Sequence, residues 1–183
     1  MHGPLHSLET TSPTIQTLLE EGETPLQYTM QSALNIIYEK LDPWIMEEPQ
    51  KTKDQIFAEM LQELRVKRAF LLERNSLVFY LMPETNWRAR IHVFSAVSSR
   101  KVGIQTAKEL TYYLFCNINS LQKLYGFTPH KKFLPTISKF GWKHEGVLTS
   151  SHLLKTGELV DQYIFGITRS ECEEMNKNIG ENT

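Results

Sequence analysis

The run Leu77-Val-Phe-Tyr-Leu-Met82 constrains the fold more than any other stretch, because it is apolar without alternation. A strand of that kind has both faces covered, so helices must lie on both sides of the sheet it belongs to. Its surroundings supply the sheet. Ala69-Phe-Leu-Leu-Glu73, the turn residues Arg74-Asn75-Ser76, the run itself through Glu84, a loop to Trp87, and Arg88-Ala-Arg-Ile-His-Val-Phe-Ser-Ala-Val97 read as three strands of an antiparallel meander.

Between Trp87 and Phe115 a strand gives way to a basic turn with a single glycine and then to a helix. The helix is expected over residues 102–118, where Ile104, Ala107, Thr111, Leu114, Phe115 and Ile118 fall three or four apart. Residues 120–129, SLQKLYGFTP, read as the next strand, entering a proline turn. Strand, long helix and neighbouring strand make a crossover unit, so this part of the sheet is parallel and the sheet as a whole is mixed. In FLPTISKFG, Pro135 is tolerated only in a first turn, which starts a short helix near Leu134 and ends it at Gly141. A hairpin follows, WKHEGVLTS and LVDQYIFGITR joined through LLKTGE, with Gly157 able to take a positive φ.

Upstream, residues 1–12 are rich in Ser, Thr and Pro, carry His2 and His6, and read as a flexible arm. A short helical piece over 13–21 stops at Gly22. Thr24, Pro25 and Gln27 then supply an N-cap, a first-turn proline and a capping-box glutamine for a helix with Leu26, Met30, Ala33, Leu34, Ile37 and Leu41 on one face, ended by Pro43. Thr52 and Gln55 repeat the capping box ahead of a stripe of Ile56, Phe57, Met60, Leu61 and Leu64. These apolar faces must be covered by the sheet or by a second chain, so a homo-oligomer through the N-terminal helices is one expectation and a partner-binding arm another. Residues 171–183 are polar and expected to fray.

The class that results is α+β (mixed): a central mixed, largely antiparallel twisted sheet flanked by helices on both faces, plus N-terminal helices. One domain is expected over 13–170, divided into helices over 13–67 and a sheet core with the basic loop over 68–170. A chain of 183 residues with 40% apolar residues can bury one such core.

A formal net charge of -1 argues against a nucleic-acid partner held through phosphates. Two cysteines, Cys116 and Cys172, sit far apart and outside any metal-ligand spacing, which favours a reduced cytoplasmic setting over a disulfide framework. No window approaches the length of a membrane span, so no membrane partner is expected. Histidines such as His144 and His152 lack the company of a zinc site, so no metal is expected either. There is no G-x-S-x-G elbow, no P-loop and no G-x-G-x-x-G.

Ser98, Ser99, Arg100, Lys101, Val102 and Gly103 lie where a strand hands over to a helix. The first turn of a helix presents unpaired amides and about half a positive charge, which two further cations there would repel. A phosphate or pyrophosphate bound at this end, with Gly103 allowing close approach, makes better sense of them. Solvated loop charges would produce the same pattern.

The loop Arg100-Lys-Val-Gly103-Ile-Gln105 resembles the Arg/Gln-x-x-Gly-x-Gly/Ala loop of the acetyl-CoA-dependent N-acetyltransferases of the GNAT superfamily. Gly141-Trp-Lys-His-Glu145-Gly146, then Gly157-Glu-Leu-Val-Asp161, then Gly166-Ile-Thr-Arg169 are similar to the GF-x-x-EG, G-x-x-x-D and G-x-x-R signature of its small-substrate members. Gly126-Phe-Thr-Pro129 points toward short bacteriophage-encoded members. The resemblance implies acetyl-CoA as cosubstrate and an amine acceptor, either a small molecule or a protein. It implies that Phe94, Ser95, Ala96 and Val97 pair with the pantetheine arm, and that Arg100, Lys101, Val102, Gly103, Ile104 and Gln105 form the pyrophosphate cradle.

Two departures weaken catalysis: Gln105 fills the last small position of the loop, and Ile137 stands where members often carry a tyrosine that protonates the thiolate. The asparagine that opens the short helix is likewise replaced, by His130. Candidate bases are His92 on the central strand, Glu84 in the loop before it and His130, each placed to reach a cleft between splayed strands. His92 also suits a hydrogen-bonded core histidine and Glu84 a loop carboxylate, while His144 and Glu145 mark a strand start. Two functions follow from the resemblance: an N-acetyltransferase, or a catalytically silent member serving as an interaction or assembly component. The setting would be a cytoplasm, or a virion if phage-encoded.

Overall fold

The computed structural model describes residues 26–42, 46 and 48–180. The expected arm over 1–12, the helical piece over 13–21 and the cap at Thr24 and Pro25 lie outside them. Six strands form one sheet: β1 (Phe70–Arg74), β2 (Leu77–Pro83), β3 (Arg88–Ser95), β4 (Lys123–Thr128), β5 (Lys143–Leu153) and β6 (Leu159–Thr168). Their spatial order is β1-β2-β3-β4-β6-β5. Only β3 and β4 run parallel; every other neighbouring pair is antiparallel. The β1–β2 reversal uses Asn75 and Ser76 at φ 50 and 62, the left-handed pair that a tight hairpin requires.

The meander, the parallel crossover and the C-terminal hairpin all follow the expectations from sequence. β2 is buried on both faces as its pattern demanded. Leu77, Phe79 and Leu81 pack with Ala107, Leu110 and Leu114 of helix α3 (Arg100–Asn117). Val78 and Tyr80 pack on the opposite side with Ala33, Ile36 and Ile37 of α1 (Leu26–Lys40) and Ile56 and Met60 of α2 (Lys53–Arg65). Helices on both faces therefore sequester a sheet whose central strands carry too little polar surface for water. The Thr52–Gln55 capping box is formed, with Thr52 Oγ1 accepting from the Gln55 amide and the Gln55 side chain accepting from the Thr52 amide.

Three details depart from expectation. Met30 and Leu61, placed on the buried stripes of α1 and α2, are 56% and 37% exposed, because each helix is covered on a face only two residues wide per turn. The tail does not fray as a whole: α5 (Arg169–Gly180) is a helix that buries Cys172 and packs Met175 against the core. Its start is pinned by Glu171, which accepts from the Thr168 amide and hydroxyl at 2.8 Å and pairs with Lys143 at 2.7 Å. Burial works against that carboxylate, yet the Lys143 and Thr168 contacts hold its pKa down at about 2. The third detail is that the short helix after the proline turn, α4 (Leu134–Lys139), is preceded by a 3-10 turn over Lys131–Phe133. α4 ends before Gly141, whose φ is 89.

The feature that positions the site is the short β3–β4 pairing. It spans only Arg88↔Lys123, Ala89↔Leu124 and Arg90↔Tyr125. Beyond Arg90 the two strands part, and the open edge of β3 faces a cleft while its other edge stays bonded to β2 as far as Ser95.

Candidate functional site

Three cavities lie along this gap. The middle one, about 350 Å3, occupies the space between the splayed strands and is walled by Ile91, Val93 and Ser95 on one side and by Phe127, Ile137 and Phe140 on the other. A second, about 590 Å3, is ringed by Arg100, Lys101, Ile104, Gln105 and Lys139 at the start of α3. Arg100 Nη2 donates to Thr136 Oγ1 at 2.6 Å, and Thr136 lines the middle cavity, so one hydrogen bond ties the two walls side by side. The third, about 280 Å3, lies under α2 on the opposite face of the sheet, with Glu59 and Glu63 above and Tyr80, Arg90 and Gln162 below. Met46, His92 and Phe127 line both the middle and the third cavity. A cationic chamber, an apolar slot and a polar chamber thus follow one another.

The α3 N-terminus suits an anion. Ser99 stands at the cap position without a side-chain bond to the helix amides, so the first-turn donors keep their capacity for a ligand. The Gly103 amide already donates to Ser99 O at 2.9 Å, which limits the unpaired amides to Arg100, Lys101 and Val102. Ile104 and Gln105 therefore contribute wall rather than cradle, and Gly103, its amide spent within the helix, lines none of the cavities, a correction to the expectation that amides as far as Gln105 would serve. A Cβ at Gly103 would meet only Val97, at 3.7 Å, so the chain's own packing does not demand a glycine there. Gln105 lies along the wall with its amide donated to Glu109 at 3.0 Å, and the chamber stays open beside it.

Of the three candidate bases, the fold brings two together. His92 and His130 both line the middle cavity. Glu84 does not: it sits at the paired end of β3, held by Arg88 at 2.9 Å and by the Tyr125 hydroxyl, and it lines none of the three cavities. Burial, reinforced by the Arg90 charge, pushes His92 down to about 4. It is therefore a neutral imidazole at physiological pH, with a lone pair available. In acid the same shift works against the fold: the unfolded chain takes up a proton below about 6.5 that the folded chain refuses until about 4, so stability falls as pH drops through that window. Burial and the neighbouring Lys132 also lower His130, whose ring packs edge-on to Phe133 at 5.6 Å.

Sequence reasoning missed Tyr80, Arg90 and Glu63. Tyr80 stands opposite His92 in the β2–β3 register, its ring 6.4 Å from the imidazole, and burial with the Glu63 charge raises it to about 12. The available signal was period two: Tyr80, Arg90 and His92 share one face of adjacent strands. The apolar company of Tyr80 hid it.

A sheet of this order, with one parallel pair splayed beside a helix N-terminus, is the fold of the GNAT superfamily. Mutant forms of the spermidine/spermine N-acetyltransferase SpeG from Vibrio cholerae share it with a TM-score of 0.61 at 16% identity, over 79% of this chain and 94% of that one. A SpeG chimera from Vibrio cholerae and hSSAT matches with a TM-score of 0.59 at 16% identity, over 79% and 95%. The Vibrio cholerae enzyme in complex with CoA and spermine matches with a TM-score of 0.51 at 14% identity, over 80% and 90%. No family model and no curated protein matches the sequence. Among the described residues no helix is long and apolar enough to cross a membrane, and no three His, Cys, Asp or Glu side chains are grouped to hold a metal ion.

Proposed function

We propose that the protein transfers an acetyl group from acetyl-CoA to a small amine. The observation that carries this is the succession of the three cavities: phosphates at the cationic chamber, pantetheine along the end of β3 and the residues just after it, at Phe94, Ser95, Ala96 and Val97, and the amine in the polar chamber, with His92 lining both the slot and that chamber. The coenzyme fits these residues by the chemistry of the donors, since uncapped amides and three cations meet an apolar slot with an unpaired strand edge. When bound it would supply the acetyl group, activated as a thioester. One C–S bond breaks, one C–N bond forms, one proton leaves the amine and one reaches the departing sulfur. His92, neutral above pH 5, is placed to take the first of these protons. The fold shared with the SpeG structures, one of them holding CoA and spermine, supports the same assignment.

A second reading, a catalytically silent component of an assembly, is favoured by Ile137 lining the slot where members of the superfamily often carry a tyrosine. A phage-particle setting rests on the Gly126–Pro129 strand end. Release of free thiol from acetyl-CoA in the presence of an amine panel separates the two. The enzyme reading expects acetylated product, no break in rate near pH 6.5 from His92, and a fall of about 100-fold in His92→Gln. Absence of product from every amine, with the coenzyme bound, would establish the silent reading.

A further inference from the structure

Among the described residues, Arg90 is a guanidinium on this face with no carboxylate within ion-pair distance. Its Nε is buried with no hydrogen-bond partner, and its Nη2 reaches only the Met82 sulfur at 3.8 Å. Among the described residues it makes no ion pair. Arg88, two residues earlier, has Glu84 at 2.9 Å and the rings of Trp87 and Tyr125 beside it. Arg169 is surrounded by backbone carbonyls.

The carboxylates around the same chamber lie nearer to other cations than to Arg90, two of them sharing one lysine. Glu59 and Glu48 face Lys51 at 2.8 and 3.4 Å, and Glu63 faces Arg68 at 3.7 Å. Glu48, Glu59 and Glu63 line the chamber against the one guanidinium of Arg90, so it is acidic overall and holds a single cationic fork that, among the described residues, no carboxylate engages. A guanidinium presents its donors as a rigid fork suited to a carboxylate, and an unpaired buried donor is costly to keep. His92 lies two residues further along the same face of β3, about 7 Å away along the strand, so one small molecule spans both.

We infer that Arg90 is the specificity residue of the acceptor chamber, and that the acceptor bears a carboxylate beside its amine, as an α-amino acid does. The carboxylate docks on the Arg90 fork under α2 and the amine turns toward His92 and the slot. A polyamine without a carboxylate leaves the Arg90 fork unpaired, whatever its ammonium groups find among Glu48, Glu59 and Glu63. This rests on the acetyl-transfer reading of the slot.

The test uses matched pairs: lysine with cadaverine, ornithine with putrescine, histidine with histamine, phenylalanine with phenethylamine. Thiol release from acetyl-CoA is followed with wild type, Arg90→Gln and Arg90→Lys, alongside acetyl-CoA binding to each. In at least one pair the amino acid is expected to exceed its amine in kcat/KM by tenfold or more. Arg90→Gln removes that preference while leaving coenzyme binding intact, and Arg90→Lys, which keeps the charge but not the fork, restores part of it. A decarboxylated amine that matches or outperforms its amino acid in every pair overturns the inference, as does an Arg90→Gln that slows both members alike. Coenzyme binding with no member of any pair accepted also overturns it. Failure of wild type to bind acetyl-CoA would instead remove the acetyl-transfer reading beneath it.

Discussion

Arg169→Ala is expected to lower stability by about 3 kcal/mol, a fall in melting temperature of roughly 6 to 12 °C for a domain of this size. The guanidinium reaches across from the first turn of α5 to the end of α3. It donates from Nη2 to Ile118 O at 2.6 Å and Leu121 O at 2.8 Å, from Nε to Leu121 O at 3.1 Å, and from Nη1 to Phe115 O. Phe115 O and Ile118 O belong to the last turn and C-cap of α3, where the helix dipole adds attraction for a cation. Truncation leaves several carbonyls unpaired at once and opens space under the Phe115 ring, over which the guanidinium lies at 5.5 Å. Arg169→Lys recovers little, because one ammonium cannot replace a fork aimed at carbonyls on two segments. Thermal denaturation of the three proteins checks this; an alanine variant melting within 2 °C of wild type, a margin well below the expected shift, contradicts it.

The second large effect is expected at Gly126. It follows the last residue of β4 paired with β3, and a Cβ there would sit 2.9 Å from Ile91 O and 2.8 Å from the Phe165 ring. The β3 backbone thus comes close to Gly126 where the two strands begin to part. Gly126→Ala has to push the Ile91 backbone or the Phe165 ring aside, at about 1 to 3 kcal/mol. It also shifts His92, one residue beyond Ile91, and displacement of a positioned group by about 1 Å is enough to slow a reaction about 100-fold. The expected outcome is a variant that folds, melts lower and transfers acetyl groups at about a hundredth of the wild-type rate. Gly157→Ala serves as a comparison, since a Cβ there meets nothing within 4 Å and the loop is remote from the slot. Full activity at the wild-type melting temperature in Gly126→Ala would show that the apex of the cleft does not depend on this contact.

The residues of the C-terminal signature made the fold legible, and their roles explain why. Gly141 takes φ 89 to end α4, Glu145 pairs with Lys123 at 2.7 Å while lying over Gly166, Asp161 accepts from the Ser150 amide at 3.0 Å, and Arg169 ties α5 to α3. These are scaffold contacts, so their pattern specifies strands and turns and says little about chemistry. The acidic chamber was not legible, because period two puts Arg90 on the face of His92 but says nothing of Glu63, which reaches the same chamber from a helix far off in sequence. Glu84 looked available in a loop. Its engagement by Arg88 and Tyr125 depends on β3–β4 register, which only the folded chain reveals. α5 was hidden by its polar composition, in which Cys172 and Met175 are the apolar side chains that reach the core.

The central claim is that the slot between β3 and β4 and the chamber at the start of α3 hold coenzyme A. Thermal shift with acetyl-CoA, on wild type and on Gly103→Leu, tests it most directly. A Cβ at Gly103 meets only Val97, at 3.7 Å, so the variant is expected to fold, with its leucine crowding the end of the slot at Val97, where the coenzyme would pass. Acetyl-CoA at 100 times its dissociation constant is expected to stabilise wild type by about 2.7 kcal/mol and to leave Gly103→Leu unmoved. No stabilisation of wild type, or equal stabilisation of both, would contradict the claim.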